Sequence, residues 1–161
     1  MGLRTDPVLA HNFLITFVDS ARLLATAVSD IRNVALGGFS ECSGLEMSLK
    51  VEEYNEGGRN GTVLKFPTRV SWTNLTLKRG ITASTDLWDW HYSFVEGRGK
   101  RRDGVIVLRN DLHLPVCIWK FKRGLPVKWS GPAMHASQNN VAIETLEIAH
   151  EGLTRTAAGG V

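Results

Sequence analysis

The sequence predicts a mainly β domain, a sandwich or barrel, with one α-helix covering it. Three observations carry this prediction. Segments with period-two alternation recur along the chain, separated by glycines and an Asn-Asp turn. One stretch, "STDLWDWHYSFVEG", has clear helical spacing instead. The composition is 43% hydrophobic and 22% charged over 161 residues, which is that of a globular domain and argues against disorder. This length supplies a single core, so residues 1–153 form one domain. Residues 154–161 form a small-residue C-terminal tail that is expected to fray.

The elements follow in order. "FLITFV" (13–18) is β-rich and puts Phe13, Ile15 and Phe17 on one face. Residues 21–36 place Leu24, Ala27/Val28, Ile31 and Val34 at helical spacing, which predicts a short helix or a structured excursion ending at Gly37-Gly38. The cleanest alternation starts at residue 45. Leu45, Met47, Leu49 and Val51 share one face, and Glu46, Ser48, Lys50 and Glu52 share the other. This predicts a strand over 45–53 with Leu49 on an apolar, core-facing side, followed by a projecting acidic loop over 54–62. "RVSWTNLTLKRG" reads as one further strand closed by Gly80.

In the helical stretch, Ser84 or Thr85 can cap the helix and Asp86 suits its positive end. Leu87, Trp90, His91 and Phe94 form an i, i+3, i+4, i+7 stripe, and Gly97 is a natural stop. Trp88, Trp90, Tyr92 and Phe94 read most simply as core aromatics. "GVIVLRND" is a strand with a turn at Asn110-Asp111. "PVCIWKFKRG" places Cys117, Trp119 and Phe121 on one face and Lys120 and Lys122 on the other, and "LPVKW" continues it. "NNVAIETLEIAHEG" reads as the last strand, with a slip in alternation between Ile143 and Leu146 that suggests a bulge.

Several chemistries are set aside. The net charge of +3 is too small an excess to imply nucleic-acid binding. Cys42 and Cys117 lie in apparent strands without a C-x-x-C pair; free thiols are the simpler reading, and a disulfide stays open. His11, His91, His113, His135 and His150 show no i, i+4 pair, and "HEGL" is not H-E-x-x-H. "GFSEC" departs from G-x-S-x-G at Cys42, and "GGRNGTVLK" lacks the Gly-Lys-Ser/Thr of a phosphate loop. Glu52, Glu53 and Glu56 are a carboxylate cluster beside glycines. A catalytic carboxylate needs an apolar cleft to tune it, whereas charge clusters usually face water or a partner. The basic run "GRGKRR" (97–102) lacks interleaved aromatics for base stacking and reads as a charged loop. No signal peptide and no apolar run of about 20 residues is visible, so cytoplasmic synthesis without membrane insertion is expected. No catalytic, metal or cofactor constellation remains. Projecting charged loops of both signs point to assembly.

Six motifs, in order, make the chain resemble the tail tube proteins of contractile phages and phage-derived contractile injection systems. They are "GFSECSGLEM" (38–47), "EEYNEGGRNG" (52–61), "LTLKRGI" (75–81), "LWDWH" (87–91), "GLPVKWSGP" (124–132) and "VAIETLEIAHEGL" (141–153). The resemblance implies two packed, roughly orthogonal β-sheets with a flanking helix and no enzymatic activity. It also implies hexameric rings stacked into a hollow tube that conducts DNA or protein cargo, enclosed by a sheath, tipped by a baseplate spike and closed by a terminating protein. Residues 19–36 are longer than the short turn usual at that place in the family.

By the same resemblance the loop after the second strand reaches a neighbouring subunit or the adjacent ring. The candidate interface is therefore Glu52, Glu53, Tyr54, Asn55, Glu56, Gly57, Gly58, Arg59, Asn60 and Gly61. Lys100, Arg101 and Arg102 are the first candidates to meet its acidic residues. A type VI-like secreted tube-ring protein is the overlapping alternative. A monomeric small-ligand β-barrel is the alternative of a different class, and it would need an apolar interior cavity.

Overall fold

The computed structural model describes residues 9–19, 38–58, 61–137 and 139–157. The excursion expected at 21–36 lies outside them. In chain order the elements are β1 (Phe13–Asp19), β2 (Glu41–Ser43), β3 (Met47–Tyr54), β4 (Leu64–Trp72), β5 (Leu75–Gly80), α1 (Asp86–Val95), β6 (Arg102–Arg109), β7 (Pro115–Ser130), β8 (Ile143–Ala149) and β9 (Gly152–Ala157). Every strand pairing is antiparallel. The mainly β class with a single short helix among the described residues is therefore the observed one.

The main sheet has seven strands in the order β1-β6-β7-β8-β5-β2, with β9 also paired to β7. Its centre is β7, whose first part pairs with β6 and β9 and whose second part pairs with β8. Between the two parts Arg123 takes a left-handed backbone (φ 53°). The Asp103 carboxylate accepts the Arg123 backbone N–H at 2.6 Å. Both halves of the sheet then feed one core. Ile15, Phe17, Ile106 and Phe121 come from the β1-β6-β7 half, Leu75, Leu77, Leu146 and Ile148 from the β5-β8 half, and Leu87 and Trp90 from α1. The two β layers are thus halves of one hydrogen-bonded sheet. The second sheet is the β3–β4 hairpin.

Helix α1 is too short to be stable alone and is held by its buried stripe. Leu87 and Trp90 are fully buried, with Phe94 packed at the edge. Burying each such side chain contributes roughly 1.5–3 kcal/mol. The Trp90 ring lies 5.1 Å from that of Phe17, and its indole N–H donates to the Lys100 carbonyl at 2.9 Å, so its polar atom is satisfied. Trp88 and Tyr92 are not core. They are 42% and 44% exposed and stack on each other, with Trp88 edge-on to Trp129 at 4.7 Å. Thr85 occupies the cap position, but its hydroxyl donates to Asp89 rather than accepting a backbone N–H. At the other end Gly97 (φ 75°) closes the helix. The Arg98 N–H bonds Ser93 O and the Gly97 N–H bonds Phe94 O, a Schellman motif that uses the left-handed freedom of glycine.

Four strand expectations change. "RVSWTNLTLKRG" is two strands, because Thr73 bonds Glu46 at the hairpin root before Leu75 enters the main sheet. The alternation in β8 does not slip: its register with β5 is continuous from Ile143 to Ile148. Glu144 occupies the buried position there, opposite Arg79, and Ile143 faces out. The irregularity in this region lies instead in β7, between Pro126 and Lys128. Finally, β8 is not the last strand. Residues 154–157, expected in the tail, are paired to β7, with Leu153 packed on the core as their anchor.

Both cysteines are free thiols, Cys117 buried and Cys42 partly so. Burial, and then the charge of Glu41, push the Cys42 thiol up to about 11. Among the described residues no helix is long and apolar enough to cross a membrane.

Candidate assembly interface

The β3–β4 hairpin begins at a fixed root. Gly44 (φ 87°) is the pivot: a Cβ there would lie 2.0 Å from the Asn74 carbonyl oxygen, so only glycine lets the two chain segments pass this closely. The Thr73 N–H bonds Glu46 O, and the Asn74 amide donates to Glu147 at 2.8 Å. His150 holds the same root from the body. Its Nε2 lies 3.1 Å from the Thr73 carbonyl, and its ring lies between those of Trp72 and Phe121.

Beyond this root the hairpin leaves the body. Every residue of β3 is exposed, and so is every residue of β4 except Trp72, which is half-buried. Met47, Leu49, Val51, Tyr54, Leu64, Phe66 and Val70 are large apolar side chains on this hairpin that face solvent. Of the apolar face expected to join the core, Leu45 packs against it at the root, whereas Met47, Leu49 and Val51 do not. Leu49 is 53% exposed. The alternation is real, but no layer of the same subunit covers it. An exposed apolar patch of this kind marks an interaction surface.

The structure places the expected interface residues as follows. Glu52 and Glu53 are in strand β3, as expected, and Tyr54 ends that strand rather than opening the loop. Asn55, Glu56, Gly57, Gly58 and Gly61 lie in the connection to β4, and Arg59 and Asn60 fall outside the described residues. Glu53 pairs across the hairpin with Lys65 at 3.4 Å. Lys100, Arg101 and Arg102 sit on the body where α1 leads into β6. Two of these basic side chains have partners in their own subunit. Arg101 contacts Glu151 at 2.6 Å, which also holds Arg123 at 2.9 Å. The Arg102 guanidinium lies 5.1 Å from the centre of the Trp90 ring.

The second strand of the hairpin, with Leu64, Phe66 and Val70, was not legible as part of the interface. Its alternation is broken between Val70 and Pro67, where Thr68 and Arg69 together oppose Lys50. The apolar positions on either side of that break were the available signal.

A single-core β body with an outlying, apolar, two-stranded arm defines the class of an assembly subunit. The chain belongs to the T4-like virus tail tube protein gp19 family, whose model matches residues 10–154. It is a structural tail tube protein rather than an enzyme. A chain in the cryo-EM structure of the anti-feeding prophage baseplate, 6-fold symmetrised, is similar at 27% identity and a TM-score of 0.80, over 95% of this chain and 97% of that one. A chain in the extended sheath-tube complex of the PVC extracellular contractile injection system is similar at 23% identity and a TM-score of 0.77, over 94% and 93%. Hcp1 from Salmonella typhimurium is similar at 16% identity and a TM-score of 0.52, over 90% and 86%. At these lower identities the last two likenesses are of fold alone. No curated protein sequence matches the chain.

Proposed function

We propose that the protein is the inner-tube subunit of a contractile tail or tail-like injection particle. Six copies form a ring, rings stack into a hollow tube, and DNA or protein cargo passes through the lumen. The observation that carries this reading is the β3–β4 hairpin of a tail tube family member, apolar and uncovered within its own subunit. Such an arm is stable in water only when other copies cover it, and a head-to-tail contact whose rotation closes makes a ring. Pairing or covering the hairpin's edges also removes a template for uncontrolled aggregation.

The similar chain in a 6-fold symmetrised baseplate supports the ring number. The sheath, the baseplate spike and a tube-terminating protein are the partners this role requires, with synthesis in the cytoplasm and assembly into the particle. The tip, Glu52 to Gly61, is the proposed contact with a neighbouring copy. Lys100, Arg101 and Arg102 are its proposed basic counterpart, Arg101 exchanging Glu151 for the partner's acids.

The core itself argues against the ligand-barrel alternative, because Phe17, Trp90, Phe121, Leu146 and Ile148 fill the space between the layers. Sedimentation and negative-stain microscopy of the purified protein test the reading. Rings or tubes without added cofactor are expected; a monomer at high concentration with no rings would overturn it.

A further inference from the structure

His150, half-buried at the β8–β9 turn, has an unmet polar atom at the joint between arm and body. Its Nε2 lies 3.1 Å from the Thr73 carbonyl oxygen. A carbonyl only accepts, so Nε2 holds the ring hydrogen and donates it. That leaves Nδ1 as the lone-pair nitrogen of the neutral ring. Nδ1 is buried and has no hydrogen-bond partner. The ring centres of Trp72 and Phe121 lie 6.0 and 6.1 Å away. Aromatic faces attract a cation, but they offer no lone pair to an N–H in the way a carbonyl or carboxylate does.

Thr73 is the residue through which this contact acts. Its N–H donates to the Glu46 carbonyl at 3.3 Å, and its hydroxyl donates to the Glu46 carboxylate at 3.4 Å. Both bonds lie within the hairpin root. Its carbonyl is the group that reaches the body, through His150.

A second proton on the imidazole goes to Nδ1, which then becomes a charged donor without an acceptor. A buried lone pair without a partner is a modest loss, whereas a buried charge without one is a large loss. The carboxylates around the joint are engaged elsewhere. From the hairpin root, Glu46 accepts the Thr73 hydroxyl. From β8, Glu147 accepts the Asn74 amide at 2.8 Å. From the β8–β9 turn, Glu151 holds Arg101 and Arg123 at 2.6 and 2.9 Å. Strand β7 brings Lys122 and Arg123, next in the chain to Phe121, and these disfavour a further positive charge. Histidine is the side chain whose charge changes between about pH 5 and 8.

We propose that His150 is a proton-sensitive latch on the β3–β4 arm. Neutral, it holds Thr73 and fixes how the hairpin leaves the body. On taking a second proton the ring leaves its place between Trp72 and Phe121, so that Nδ1–H reaches water, and the Thr73 carbonyl is released. The Asn74–Glu147 bond and the close passage at Gly44 remain, so the root loosens without the arm detaching. This latch belongs to the single subunit and works whatever covers the arm.

Amide hydrogen exchange of the full chain tests this, at a concentration where sedimentation shows a monomer. Rates at about pH 7.5 and about pH 5.5, on either side of the middle of the histidine range, are each divided into those of the unstructured chain. Wild type is expected to lose about tenfold in protection at Thr73 at the lower pH, as local opening of the root requires. The β6 amides are expected to keep theirs. His150→Gln retains an N–H donor for the Thr73 carbonyl and cannot gain the charge, so its protection at Thr73 is expected to be the same at both pH values. His150→Ala is expected to show the loosened root at both. Wild-type protection at Thr73 that does not change with pH would overturn the proposal, and so would a pH response that persists in His150→Gln.

Discussion

Arg79 and Glu144 face each other directly across the β5–β8 ladder, and their side chains meet at 2.5 Å with relative exposures of only 2% and 7%. The second carboxylate oxygen of Glu144 accepts the Trp129 indole N–H at 3.0 Å. Arg79 also donates to the Ser84 carbonyl, just before α1. One buried pair therefore joins the sheet, the aromatic cluster of Trp129 and Trp88, and the start of the helix.

Glu144→Leu is expected to destabilise the subunit by about 3–5 kcal/mol, since it removes the carboxylate paired with a buried guanidinium. Arg79→Met combined with Glu144→Leu should recover much of that loss, because neither buried charge remains. Urea denaturation of both variants in an assembly-deficient background checks this. A double variant no more stable than the single one would show that the pair is not coupled.

Trp90→Ala should cost about 3–5 kcal/mol, the usual range for removing a large core aromatic. Trp90→Phe should cost less, because it keeps an aromatic ring against Phe17 while losing the bond to the Lys100 carbonyl and part of the contact with Arg102. The measurement is the melting temperature of the isolated subunit. Equal melting of Trp90→Ala and wild type would contradict the assignment of α1 to the core.

Gly44→Ala should disturb the hairpin root specifically. The added Cβ collides with the Asn74 carbonyl and sits on a left-handed backbone, so the root must open. Amide hydrogen exchange should show loss of protection at Thr73 and along β3 and β4, with the β6 and β7 amides much less affected. Unchanged protection at Thr73 would reject the pivot.

Cys42 should be slow to alkylate at pH 8, because its thiol is held at about 11, chiefly by burial and then by Glu41. An ordinary cysteine ionises near 8.5. The folded state therefore keeps its proton over a pH range in which the unfolded chain has lost it. The sign follows: this group's contribution is fully present below the unfolded value and is lost as pH rises toward about 11. Cys42→Ser should flatten that alkaline loss. Rapid labelling of Cys42 in the native subunit at pH 8 would contradict it.

Local pattern by itself determined a good deal of this protein. The alternation of Phe13, Ile15 and Phe17, the Leu87 and Trp90 stripe and the glycine stop at Gly97 depend on periods and backbone preferences that act within a few residues, and all three survive in the fold. The ordered motifs from Gly38 to Leu153 pointed to the tail tube family. Tertiary structure decided which apolar face is covered. Leu49 and Leu77 both alternate with polar neighbours, yet Leu77 is fully buried and Leu49 faces solvent, because only β5 has a second layer of its own subunit against it. It also decided that Glu144, polar in any sequence reading, belongs in the core, since Arg79 arrives opposite it from 65 residues away. The break in alternation at Thr68 and Arg69 was written in the chain as one extra residue. It acquired meaning only when β3 supplied the register against which that residue is extra.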